Sequence, residues 1–372
     1  MIKRLISGLI RKDFNKGKII VLLGARQVGK TTLLNELVHK KQKVLSLNCD
    51  YMDDRFDIDG KSSTELRQLL QPYDVALIDE VQRVNNIGLT LKVIADMKLD
   101  TQVVVTGSSS LDIANQINES ATGRLYEYKL YPFSLQELAA HTTPREEQRL
   151  LEQRLIYGLY PEVVTHPEDT RRTLTELTNS YLYKDLLSFN GIKKPDLLLK
   201  LVKALALQLG SEVSYNELAG LIGANKQTVE AYIRLLEQCF VVFQLDSYSR
   251  NLRNEIKKGK KIYFYDNGVR NAILSAFAPL DSRNDVGMLW ENLMISERVK
   301  HNAYNRNYAN LYFWRTHEQK EIDLIEEQDG MLHAYEFKWN PEAKAPLPKA
   351  FAESYPNSTF KVIHPKNFWE FV

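Results

Sequence analysis

The sequence predicts an α/β protein whose first third is a parallel sheet covered by helices on both faces. Three observations carry this expectation. Apolar runs of strand length alternate with stretches of helical spacing between residues 19 and 131. The pattern G-x-x-x-x-G-K-[ST] begins directly after the first run, Ile19–Leu23, and an acidic pair, Asp79-Glu80, closes a later run at residues 74–78. Strands separated by helical stretches build parallel sheets, with ligands gathered at the carboxyl ends of the strands.

Taken in order, residues 31–39 have helical spacing, 43–48 are strand-like and 62–70 are helical. Residues 74–78 and 102–106 are buried-strand candidates, and 125–131 is the last β-like stretch before Pro132-Phe133. This gives a first domain over residues 1–140. The pattern is helical from 144 to 210, most apolar over 196–209. Ser214 and Glu217 then form a capping box, and Asn225 caps a helix whose Val229, Tyr232, Ile233 and Leu236 fall at i, i+3, i+4 and i+7. With a strand at 240–245, two short helices around a Gly turn suggest a winged helix-turn-helix in a region spanning 141–250. A helix from about residue 287 followed by three strand candidates makes 251–372 a second, small α/β unit.

Composition bounds the rest. At 372 residues the chain has room for two or three domains, and 44% apolar with 26% charged residues excludes a disordered, collagenous or coiled-coil chain. The net charge of +2 excludes a wholly basic polyanion binder but not a local basic surface. Cys49 and Cys239 lie far apart, outside any CxxC pattern, so neither a zinc site nor a disulfide framework is expected. No apolar run approaches the ~18 residues of a membrane span. The N-terminus lacks the long apolar core and small-residue cleavage site of a signal peptide. A cytoplasmic protein with no membrane partner is the expectation.

The loop Gly24-Ala25-Arg26-Gln27-Val28-Gly29-Lys30-Thr31, continued by Thr32, has the composition of a phosphate cradle. Its glycines let backbone N–H groups turn toward phosphate oxygens, and the following helix presents its positive end. Lys30 is expected to neutralise phosphate oxygens of ATP and the Thr31 hydroxyl to coordinate Mg²⁺. Asp79, closing a later strand, is expected to hold that Mg²⁺ through water, and Glu80 to orient and activate the attacking water. Ser108, at the end of a third strand, is read as a sensor of the γ-phosphate, against a turn whose serines cap the next helix. Arg124 is read as an arginine finger acting on a neighbouring subunit of a homo-oligomer, against a surface ion pair with Glu127.

The succession Gly24–Thr31, Asp79-Glu80-Val81-Gln82, Thr106-Gly107-Ser108-Ser109, Gly123-Arg124 and Pro132-Phe133-Ser134 resembles a family of AAA+-type P-loop ATPases of bacteria and archaea. Lys261-Ile262-Tyr263-Phe264-Tyr265-Asp266-Asn267-Gly268 extends the likeness along the chain. The resemblance implies a P-loop NTPase sheet followed by a C-terminal domain similar to PD-(D/E)xK nucleases.

That likeness directs attention to Asp323, Glu336 and Lys338. Asp329-Gly330 is a two-residue hairpin signal. A turn centred there pairs positions whose numbers sum to 659, which sets Asp323 opposite Glu336 and, by alternation, Lys338 on the face of Glu336. Opposed carboxylates repel unless neutralised, and a second Mg²⁺ or Mn²⁺ would neutralise them, with Lys338 orienting water. The family pattern calls for a helical acid: Glu291 is the candidate, since Glu297 lies about 240° further round a helix of 3.6 residues per turn. The same register pairs Glu321 with Lys338, the competing reading of an ordinary cross-strand ion pair.

Residues 250–261 carry six basic residues against one acidic. Beside a helix-turn-helix they suit DNA backbone contacts. Against this, Lys226 and Arg234 on the second helix are balanced by Glu230 and Glu237. The sequence thus predicts an ATP-hydrolysing AAA+-type ATPase that moves a winged-helix and nuclease-like module, with DNA as the expected partner. The alternatives are a nucleotide-gated, metal-dependent DNA nuclease and a nucleotide switch or scaffold without nuclease activity.

Overall fold

The computed structural model describes residues 2–38, 41–108, 123–179, 194–249, 259–316 and 318–372. They fall into two compact units: Met1–Tyr131 with Gln238–Phe240, and Pro132–Glu237 with Val241–Val372.

The first unit holds a sheet of β1 (Ile19–Leu23), β2 (Val44–Asn48), β3 (Val75–Asp79), β4 (Gln102–Gly107) and β5 (Leu125–Lys129) in the order β2-β3-β4-β1-β5. Every neighbouring pair is parallel. The inner strands β1, β3 and β4 are buried along their whole length, whereas the edge strands β2 and β5 are partly exposed. Inner strands covered on both faces must be apolar throughout, so they read as continuous Ile/Val/Leu runs. Helices Lys30–Leu37 and Ser63–Leu70 lie where the spacing expects them, the second entered through a capping box between Ser62 and Glu65. The carboxyl ends of β1, β3 and β4 form one rim.

The second unit begins with helices including Leu135–His141, Leu151–Tyr157 and Pro195–Leu207. Helix Tyr215–Ile222 ends at Gly223, whose φ of 74° closes it in the left-handed conformation, and Lys226–Gln238 follows. Asn225 caps this second helix through Thr228 N (2.7 Å), and Val229, Tyr232, Ile233 and Leu236 are buried. At Ser214 only half of the capping box forms: Ser214 Oγ accepts from Glu217 N.

A seven-stranded sheet follows: β6 (Glu212–Val213), β7 (Val242–Ser247), β8 (Lys260–Phe264), β9 (Asn310–Arg315), β10 (Glu321–Gln328), β11 (Met331–Phe337) and β12 (Thr359–Ile363). Its order is β12-β11-β10-β9-β7-β8-β6. The parallel β7–β9 pairing, Asp246↔Tyr312 and Ser247↔Phe313, joins the strands after these two helices to the C-terminal strands. The division expected at 250/251 therefore lies between β7 and β8 of one continuous sheet. Residues 250–258 of the basic segment lie outside the described residues.

The Lys261–Gly268 motif is a structural hub. Asp266 accepts from Leu159 N (2.7 Å) and Val269 N (3.1 Å), and burial raises its carboxyl above the ordinary range. Asn267 and Asn292 bond to one another and to backbone of the opposite element. A side chain at position 268 would collide with the Tyr157 carbonyl, which explains the glycine. Among the described residues no helix is long and apolar enough to cross a membrane, and Cys49 and Cys239 are buried and not disulfide-bonded.

Candidate functional site

At the end of β1 the chain makes two conformational demands that only glycine meets readily. A Cβ at position 24 would run into the Leu130 carbonyl, because Leu130 N is bonded to Leu23 O at 2.7 Å. Gly29, with φ of 93°, turns the chain into the first turn of Lys30–Leu37. This points the free N–H groups of a helix start at the loop mouth. Lys30 is 5% exposed, and its ammonium donates to Gly24 O (3.0 Å) and Ala25 O (2.9 Å). The cation thus sits within the turn that Gly24–Thr32 describes.

The facing wall comes from β3 and β4. Thr31 Oγ1 donates to Asp79 Oδ2 at 2.6 Å, tying the loop helix to the carboxyl end of β3. The other Asp79 oxygen accepts from Glu80 N (3.1 Å) and from the Thr106 hydroxyl. Glu80 adopts φ of 54°, a left-handed backbone that costs a non-glycine residue energy and marks functional positions. Gln82 Nε2 donates to both Glu80 Oε2 and Ser108 Oγ, the latter at 2.8 Å. Thr31, Asp79, Glu80 and Ser108 are therefore linked along one rim, with Lys30 in the adjoining loop.

Two residues of this site carry no recognisable sequence signal of role. Gln82 is the link between Glu80 and Ser108; its only mark is its place two residues after the acidic pair. Arg4 is 5% exposed and donates to Val28 O (2.8 Å) and Tyr131 O (2.5 Å), propping the loop from behind. A single arginine before a short amphipathic helix, Ile6–Asp13, has no spacing that betrays this. Cys49 lies near the same rim, its N–H bonded to Asp79 O (3.0 Å). Burial, with Asp54 and Asp79 adding, pushes its thiol up to about 12, so it is no nucleophile at neutral pH.

Arg124 is not brought to the loop of its own chain. It precedes β5, its carbonyl accepting from Ile19 N at the amino end of β1. It is thus a full strand away, roughly 15 Å at about 3.3 Å per residue. Its Nε pairs with Asp96 Oδ1 at 2.6 Å, not with Glu127.

In the second unit the hairpin register is the expected one: Leu324↔Tyr335 and Gln328↔Met331 each sum to 659, so Asp323 and Glu336 are the next opposed pair. The turn residues Asp329 and Gly330 have φ of 52° and 80°, as this two-residue turn requires. Opposite β9 the register slips between Ile322 and Ile325, a bulge that contains Asp323. Phe337 N donates to Asp323 Oδ2 at 2.8 Å. Burial, then Glu291, then Glu336 drive the Asp323 carboxyl well above its ordinary range, against the pull of Lys261. Glu291 and Glu336 are thus the acids whose charges act on Asp323, while Glu297 pairs with Lys300 (2.7 Å) and accepts from Leu135 N.

Lys338 pairs with Glu336 at 2.7 Å. Glu321, expected opposite Lys338, instead bonds to Lys261 and Arg315. Among the described residues no group of three or more His, Cys, Asp or Glu side chains is arranged to hold a metal ion.

Comparison with known proteins agrees with the first unit and leaves the second open. Residues 16–139 match an AAA domain family, residues 148–280 the domain of unknown function DUF8612, and residues 286–367 the domain of unknown function DUF4143. An uncharacterized protein of Mycobacterium tuberculosis is 25% identical over 341 residues, covering 88% of this chain and 72% of its own. An uncharacterized protein of Haemophilus influenzae is 25% identical over 328 residues, covering 82% and 79%. In three dimensions the Walker-type ATPase paby2304 of Pyrococcus abyssi superposes with a TM-score of 0.52 at 14% identity, over 74% of this chain and 96% of that one. Residues 16–139 thus match the AAA domain family and have the fold of a P-loop ATPase, which supports ATP hydrolysis by this chain.

Proposed function

We propose that ATP bound at Gly24–Thr32 is hydrolysed with Glu80 as the base, and that this cycle moves the C-terminal unit, which acts on DNA. The observation that carries the reading is the bonded chain Thr31–Asp79–Thr106, with Gln82 donating to both Glu80 and Ser108. Lys30 exchanges its loop carbonyls for phosphate oxygens. Thr31 and Asp79 are the residues that fit Mg²⁺, which supplies charge neutralisation at the phosphates. Glu80 accepts the proton of the attacking water, and Ser108 reports the γ-phosphate to Glu80 through Gln82.

Arg124 completes a neighbour's site in a homo-oligomer. Its pair with Asp96 is a surface one, with side chains 38% and 50% exposed. Such pairs contribute about 0–1 kcal/mol, so the arginine is released at little cost.

DNA contact is assigned to the basic segment. Within it Lys260 pairs with Asp246 (3.3 Å) and Lys261 is buried, and the phosphate contacts are proposed for Arg250, Arg253, Lys257 and Lys258, which lie outside the described residues. The second helix contributes little, since its Lys226 and Arg234 are balanced in charge by Glu230 and Glu237. Gel shifts across a salt series are expected to show affinity falling with a log–log slope of about −0.9 per phosphate neutralised. Replacing those four residues by Gln is expected to flatten the slope. A wild-type response already flat, or a variant with unchanged slope, contradicts the assignment.

The second reading, a nucleotide-gated nuclease, is favoured by Asp323 facing Glu336 with Glu291 close by. The groups there do not fit a second Mg²⁺ or Mn²⁺, because the Lys261 ammonium is already paired with Glu291 and with Glu321 beside Asp323. No cleavage step follows from this arrangement, and a switch or scaffold role for the C-terminal unit accords with it.

A further inference from the structure

We infer that Lys261 is the resident cation of the Glu291–Asp323–Glu336 centre, so that the C-terminal unit works as a metal-free module and not as a phosphodiester-cleaving one. Lys261 enters from β8 and is 2% exposed. A buried lysine must be paired, and its partners are Glu291 of this centre and Glu321, two residues before Asp323 on β10. Its ammonium bonds to Glu321 Oε1 and lies 3.4 Å from Glu291 Oε1. The Phe313 ring covers it, 5.5 Å from ring centroid to nitrogen.

Each carboxylate of the centre has an oxygen committed elsewhere. Glu291 Oε1 accepts from the Tyr263 hydroxyl (2.6 Å) as well as from Lys261. Asp323 Oδ2 accepts from Phe337 N, and Glu336 Oε1 from Lys338 (2.7 Å). Hard divalent cations need several oxygens turned inward together, and they are repelled by a fixed ammonium among those oxygens. The lysine does not dissociate and is not diluted by chelators, so the counter-charge is built into the fold. This assignment is independent of ATP hydrolysis in the first unit.

The test is Mn²⁺ binding to the nucleotide-free full-length chain, read by electron paramagnetic resonance. An Asp79→Asn background removes the loop's metal ligand. Expected is no bound Mn²⁺ that Asp323→Asn removes. Lys261→Met, similar in length but uncharged, is expected to gain a Mn²⁺ site that Asp323→Asn abolishes. Lys261→Gln is the second variant, and circular dichroism establishes that each is folded. Mn²⁺ bound to the background protein and lost in Asp323→Asn overturns the assignment. So does a folded Lys261 variant that gains no site. Should neither variant fold, the comparison with and without Asp323→Asn decides by itself.

Discussion

Glu80→Gln is expected to lower kcat for ATP hydrolysis by about 10²–10⁴-fold, the usual contribution of a positioned general base. Nucleotide affinity should change little, because Lys30, Thr31 and the loop amides that grip phosphate are untouched. Glutamine keeps the shape of Glu80 but cannot take a proton from water. The backbone that holds it, at φ of 54° with its N–H on Asp79 and Thr106, does not depend on the side-chain charge. Single-turnover phosphate release beside equilibrium nucleotide binding separates the two effects. A Glu80→Gln variant that releases phosphate at the wild-type rate removes Glu80 from the chemistry.

Asp285→Ala is expected to destabilise the second unit by about 3–5 kcal/mol, the cost of leaving a buried charge without its partner. Arg270 has a side chain only 3% exposed, and its Nη1 lies 2.5 Å from Asp285 Oδ2. Arg283 reaches the same carboxylate at 2.8 Å through two nitrogens. Arg270 also donates to Ala206 O and Asn271, so its loss of charge balance reaches the helices around Asn267–Leu274.

The pH dependence follows from the same pair. Burial raises the Asp285 carboxyl, but hydrogen bonds from Arg283 and Arg270 outweigh it and set the value at about 2, below the ordinary 3.8. A carboxyl lowered on folding stabilises the folded state fully above 3.8, and that stability is lost as pH falls toward about 2. Denaturant unfolding of the full chain, with amide exchange followed in Asn267–Leu274, checks both points. Unchanged exchange there in Asp285→Ala, or an unchanged acid slope between pH 4 and 2, contradicts this account.

The nucleotide half of the molecule is legible in the sequence because its signals are local. Three apolar runs announce the inner strands β1, β3 and β4, and the loop motif and acidic pair sit at their carboxyl ends within a few residues. The Asp329-Gly330 turn is equally local, and it sets the β10–β11 register through to Asp323 and Glu336. What escapes the sequence is set by distant pairing. Lys261 meets Glu321 across 60 residues, and the parallel β7–β9 contact that makes one sheet of two expected domains leaves no periodic trace. The bulge holding Asp323 sets two residues of β10 against one of β9, which alternation alone does not reveal. Arg4 acts on the loop from 24 residues away, and Arg124 is placed at the opposite rim by the direction of β5.

The central claim is that ATP bound at Gly24–Thr32 is hydrolysed there, with Lys30 holding the phosphates. Steady-state phosphate release by the purified full-length chain, with ATP and Mg²⁺, tests it most directly when wild type and Lys30→Ala are compared. The account predicts Mg²⁺-dependent turnover in wild type and none above background in Lys30→Ala, whose melting temperature without nucleotide is unchanged. Normal turnover in a folded Lys30→Ala protein would contradict it.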